Sequence, residues 1–110
     1  MEHEMYLVTY ASVTGDDSYL YTTTTPYFDR QKALDAHRRN LGCVAEEVIP
    51  DDFQMLDAED VDTERETFVE KNCGNNCVRK EYFNDKYICQ VERYHIVDGN
   101  MEKDNTFLGF

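Results

Sequence analysis

The chain has 110 residues and carries 23 acidic against 11 basic side chains, a net charge of −12. That length fits one domain with one modest core, and a composition that is 41% hydrophobic and 13% aromatic excludes a disordered polyelectrolyte. No apolar run is long enough to span a membrane, and a field of this sign repels nucleic-acid backbones and membrane surfaces, so direct binding to either is not expected.

The N-terminal stretch Met1-Glu-His-Glu-Met5 is acidic and lacks the basic start and apolar run of a secretory leader. The expected setting is therefore the reducing cytoplasm, with Cys43, Cys73, Cys77 and Cys89 as thiols. Tyr6 to Val13 is rich in β-branched and aromatic residues and reads as a strand. Thr14 to Ser18 is turn chemistry, and Tyr19 to Thr25 is a second strand that Pro26 closes, completing a β-hairpin.

A helix follows from Phe28 or Asp29 to Leu41. Asp29 suits its N-cap and Gly42 its C-terminal stop, with Ala33, Leu34, His37 and Leu41 on one buried stripe. His37 on that stripe reads as a core-edge residue rather than a ligand. Cys43 to Ile49 reads as a third strand ended by Pro50. The next segment is acidic but punctuated by Phe53, Met55, Leu56, Val61, Phe68 and Val69, which suggests folding against the core. Thr63 and Glu66 have capping-box spacing for a helix from Glu64 to Asn72, while Asp51 to Asp62 fits either helix or loop.

Cys73 to Cys77 reads as a turn. Val78 to Phe83 and Lys86 to Val97 form a second hairpin about Asn84-Asp85. Residues 98–110 and 1–5 are expected to be loosely held ends, with Phe107, Leu108 and Phe110 as candidates for docking. The sum is a single α+β domain over residues 1–110: an antiparallel sheet built from two hairpins, with one or two helices packed on one face.

Three constellations carry possible chemistry. Cys73, Cys77, Cys89 and His95 approach a zinc-site spacing. An Asn84-Asp85 turn, however, sets Cys89 opposite Lys80 and Cys77 opposite Glu92, with the two sulfurs on opposite faces of the sheet. No structural metal is expected, the alternatives being buried or incidental thiols, a Cys73–Cys77 disulfide or a redox role. The run from Asp60 to Glu66 offers oxygen ligands for calcium, but Arg65 stands where the loop's sharp turn needs Gly. No nucleophile elbow, phosphate loop or zinc-protease signature is present, so no catalysis and no cofactor are expected.

The third constellation is the charge itself. Residues 46–70 hold eleven acids against one base, Arg65, whereas the remainder is nearly balanced. Asp51, Asp52, Asp57, Glu59, Asp60, Asp62, Glu64 and Glu66 form the candidate partner-binding surface, the alternative being a solvated face with no partner. Carboxylates on a rigid frame imitate phosphates and suit an Arg/Lys-lined groove. In size and charge the profile resembles small phage or mobile-element proteins that block host restriction or CRISPR systems; the resemblance covers no alignable motif. The expected function is a small acidic binding protein that inhibits or modulates a cationic nucleic-acid-handling partner, such as a defence nuclease, by nucleic-acid mimicry. The alternatives are a self-associating module, dimeric through a β-edge or a Tyr-rich face, and a small Cys/His metal module.

Overall fold

The computed structural model describes residues 2–16 and 20–110; the tip of the first turn, Asp17 and Ser18, and the start of the second strand at Tyr19 lie outside the described residues. A five-stranded antiparallel sheet carries two helices, an α+β architecture. The strands are β1 (Glu2–Val13), β2 (Leu20–Tyr27), β3 (Cys77–Tyr82), β4 (Asp85–Val97) and β5 (Asn100–Lys103). The helices are α1 (Arg30–Val48) and α2 (Ala58–Asn72), joined through a 3-10 turn at Phe53–Met55.

The centre of the sheet is a pairing between distant parts of the chain. β1 lies antiparallel to β4 over its whole length, from Glu2 opposite Val97 to Val13 opposite Lys86. β2 flanks β1, and the other side of β4 is shared, β3 taking its first half and β5 its last. The second hairpin turns at Phe83-Asn84 rather than Asn84-Asp85, because Tyr82 pairs with Asp85. Phe83 adopts a left-handed φ of 55° and the Asp85 carboxylate accepts from the Gly15 amide at 2.9 Å, which keeps Asp85 at the strand's end. The register shift of two residues preserves every side chain's face. β2 also runs on through Pro26, which is tolerated because β2 is an edge strand.

α1 crosses one face of the sheet and is longer than its sequence signals suggest. Asp29 caps it as expected, its carboxylate accepting from the Lys32 amide at 3.0 Å. Gly42 does not end it. Val44 and Ala45 continue the stripe of Ala33, His37 and Leu41, so residues 43–48, expected as a strand, form the last turns of the helix. Burial of those side chains outweighs the roughly 1 kcal/mol that a mid-helix glycine costs. Leu34, expected on the stripe, is only half-buried.

Two clusters make the core. Tyr6, Val8, Ala33, Ala36, Val91 and Phe107 form one; Leu41, Val44, Val78, Tyr87 and Cys89 form the other, with Phe68 and Val69 of α2 packed against it. The C-terminal segment, expected to be loose, belongs to the first cluster. Phe107 meets Tyr6 edge-on at 5.8 Å between centroids and Phe110 at 5.5 Å. Asn76 ties the segment down, its amide donating to Leu108 O at 3.1 Å and its Nδ2 to Phe107 O at 2.9 Å. Gly109, at φ +134°, passes so close to the Gly74 carbonyl that a Cβ would stand 1.7 Å from its oxygen. At the other end Glu2–Met5 are strand residues, and Met5 is buried. No helix among the described residues is long and apolar enough to cross a membrane.

Candidate functional site

α2 begins six residues before its expected start. Asp57 is the N-cap, accepting from the Asp60 amide at 3.0 Å, with Glu59 and Asp60 in the first turn where the helix dipole favours anions. Thr63, expected as a cap, lies mid-helix and donates back to Glu59 O at 3.0 Å. The end at Asn72 is where the sequence places it.

Only Val61 of this helix is fully buried. Phe68 and Val69 are half-buried, whereas Met55, expected among the core-facing residues, is 90% exposed. The backbone explains the difference: Gln54 and Met55 both take left-handed φ values, 50° and 58°, and this turn faces Met55 outward.

All eight candidate residues, Asp51, Asp52, Asp57, Glu59, Asp60, Asp62, Glu64 and Glu66, are exposed. Two already have local duties, Asp57 as a cap and Asp51 as an ion-pair partner of Arg65 at 3.1 Å. Five lie on the outer side of α2. At 3.6 residues per turn Glu59, Asp62 and Glu66 fall in one stripe, continued by Glu70, with carboxylate-bearing positions about 4.5–6 Å apart along the axis. Asp60 and Glu64 lie some 100–160° round the axis from this stripe, on the other exposed flank of the helix.

Arg65, the single cation of the stretch, is turned inward. Its Nε donates to the carbonyl of Ile49 at 2.9 Å and its Nη2 to Asp51, stapling α2 to the C-terminal end of α1. Arg38 of α1 reaches Glu70 in a close ion pair; the Arg38 guanidinium holds the Glu70 carboxyl below its ordinary range. Between the helices lies an open groove of about 380 Å³ lined by Arg38, Glu46, Arg65, Glu66 and Glu70. Glu59, Asp60, Asp62, Glu64 and Glu66 appear in none of the ion pairs among the described residues. The pairs Asp60–Glu64 and Asp62–Glu66 set like charges at i,i+4, which costs a helix about 0.2–0.5 kcal/mol each.

The cysteines have the relation that strand alternation demands. Cys77 pairs with Gln90 and is exposed on one face, while Cys89 lies fully buried on the other. Burial pushes the Cys89 thiol up to about 12, so it stays protonated at neutral pH. All four cysteines are free thiols, and no group of three His, Cys, Asp or Glu among the described residues is arranged to hold a metal ion.

One polar network escaped the sequence. The Asp104 carboxylate accepts from Arg93 Nε and from the Thr106 amide, each at 2.9 Å, from His95 Nε2 at 3.2 Å and from Thr106 Oγ1 at 2.5 Å. These bonds hold its carboxyl well below the ordinary range and fasten the turn after β5 to β4. Arg93 also lies over the Phe107 ring at 5.1 Å. His37, expected at the edge of the core, is fully buried within it. Its Nε2 donates to the Asn75 carbonyl at 3.0 Å, its Nδ1 has no partner, and burial lowers its pKa. Asp104 carries no local motif and depends on the return of the chain along β4, whereas His37 lies on the stripe that the sequence shows.

The described tyrosines gather mostly on one side. Tyr6, Tyr10, Tyr21, Tyr27, Tyr82 and Tyr87 share the face on which α1 lies, and Tyr94 alone is on the other. No family model, no curated protein and no solved structure matches this chain.

Proposed function

We propose that the chain is a small acidic binding protein that presents the outer face of α2 to a cationic, nucleic-acid-handling protein and occupies its phosphate-binding groove. The observation that carries this reading is the exposed stripe of Glu59, Asp62 and Glu66, with Arg65 bonded inward and Arg38 of α1 paired to Glu70 at the end of the stripe. A helix that keeps like charges at i,i+4 gives up stability for them. That loss is offset where the carboxylates meet a row of Arg and Lys, whose charge-assisted hydrogen bonds are strong. The action is occupancy rather than catalysis, and a host-defence nuclease of restriction or CRISPR type, in a reducing cytoplasm, is the partner class this charge suits.

The test uses purified nucleases of those types, with binding measured across a salt series and in competition with duplex DNA. Affinity is expected to fall steeply with salt, and the triple substitution E59Q/D62N/E66Q to abolish competition. Binding by the triple variant equal to that of the original chain would overturn the reading.

A further inference from the structure

The helices cover one face of the sheet and leave the other bare. The register assigns the bare face without ambiguity. Its middle is Leu7, Thr9, Ala11 and Val13 of β1 with Ile88, Gln90, Glu92, Tyr94 and Ile96 of β4, and Met5 is already buried at one end; the flanks mix Leu20, Pro26 and Met101 with the polar Thr22, Thr24, Arg79, Glu81 and Lys103. The Thr9–Thr24 hydroxyl contact at 3.1 Å and the Lys103–Glu92 ion pair at 2.9 Å lie on this face and fix its composition. A sheet with one wet face alternates apolar and polar residues along each strand, whereas a strand covered on both sides reads as a continuous apolar run. The central strand β1 is of the second kind: from Met5 to Val13 only Thr9 and Ser12 are non-aromatic polar residues. Leu20 and Met101 are 66% and 55% exposed at its margins.

We infer that this bare face is the contact between two copies of the chain, packed sheet on sheet into a four-layer α/β/β/α dimer. Charge selects the occupant. The bare face carries Arg79, Lys86 and Lys103 against Glu81 and Glu92 among its described strand residues, so the negative excess of the chain lies elsewhere. Two copies of a molecule with net charge −12 repel through their acidic helices. Here they meet through faces of mixed, nearly balanced charge, and α2 of each lies on the other side of the sheet. A strongly cationic partner is drawn to the opposite side of the molecule. Size agrees as well. The 12 residues of β1 span about 40 Å, and four strands side by side add roughly 19 Å of width. Because β2, β3 and β5 are shorter than β1 and β4, the footprint is roughly 650–700 Å², at the lower end of a standard specific interface of ~800 Å² per partner. Sheets pack so, with strand directions about 30° apart and about 10 Å between layers.

The dimer and the partner-binding helix respond to salt in opposite senses, which separates this inference from the proposed function. Sedimentation equilibrium over a low- to high-micromolar series is expected to move the mass from 12.9 kDa toward twice that value, at lower concentration as salt is raised. T9R, at the centre of the face, and the double variant L7K/I88K are expected to stay monomeric with unchanged far-UV circular dichroism. On the original chain, isotope-filtered NOE spectra of a mixed labelled and unlabelled sample should show intermolecular contacts from the methyls of Leu7, Ile88 and Val13. A chain that is monomeric throughout the series overturns the inference. So does a dimer whose intermolecular contacts come from Leu20–Tyr27 alone, which would mean edge-to-edge pairing.

Discussion

α1 and α2 are similar in length and opposite in employment. α1 buries Ala33, Ala36, His37, Leu41, Val44 and Ala45 against the sheet, whereas α2 buries Val61 alone and leans on α1 through Phe68, Val69 and Arg65. The acids follow the same division. They crowd onto the helix that the core needs least, where carboxylates stay hydrated and cost little beyond mutual repulsion. A surface can thus become strongly charged without taxing the fold, provided that a different element carries the packing.

The largest expected effect falls on the α1 side. F107A removes a buried ring that touches Tyr6, Phe110 and Arg93, and urea unfolding should show a loss of about 3–5 kcal/mol. A comparable loss from E66A on α2 would break the contrast. G109A should come next. The position combines a positive φ with a Cβ 1.7 Å from the Gly74 oxygen, so roughly 1–3 kcal/mol is expected from strain at the site alone. Faster hydrogen exchange at the Asn76 amide would show that the C-terminal segment has lifted.

A pH series sharpens the comparison further. His37 has a lowered pKa in the fold. Below the ordinary histidine value of 6.5 the unfolded chain therefore binds a proton that the folded chain does not, and stability falls as pH drops through that value. Thermal melts of the original chain should show this decline, and H37Q should flatten it. Asp104, with its carboxyl held low, adds stability above 3.8 that is lost in stronger acid; D104N should reduce that later decline, to which Glu70 also contributes, and leave the first. Two smaller effects complete the series. G42A, where a Cβ meets nothing within 4 Å, should stabilise α1 by about 0.5–1 kcal/mol, read as an increase in urea midpoint. D62N/E66Q, which relieves the repulsion between the two acids and leaves Glu59 at the favoured helix start, should raise stability by a few tenths of a kcal/mol at low salt, and the gain should vanish at high salt.

What was legible in the sequence was local. Strand alternation identified both hairpins and put Cys77 and Cys89 on opposite faces, even with the turn misplaced by one residue. The Asp29 cap and the Ala33–His37–Leu41 stripe located α1, and the density of acids with few apolar neighbours marked an exposed segment. What was hidden depends on residues far apart in the chain. Gly42 followed by Val44, Val48 and Ile49 has the chemistry of a helix stop and a strand; only the sheet beneath tells the chain to keep coiling. The central pairing of β1 with β4 has no local signature. Neither does the seat of Phe107, nor the network around Asp104, both of which exist because β5 returns along β4. The tyrosines misled for the same reason: their strand positions were readable, but not that α1 would lie on them.

The pairing of β1 with β4 also sets the order of events during synthesis. While a ribosome has delivered only the residues before Asp85, β1 has no central partner. It has only β2 beside it, and a lone hairpin is marginal in water. The apolar side of α1 must wait as well. Between that unfinished half and the strand that completes it lies the acidic stretch from Glu46 to Glu70, which emerges first and repels neighbouring nascent chains. The same charge that faces outward in the finished molecule is thus already on the chain before β4 arrives to close the sheet.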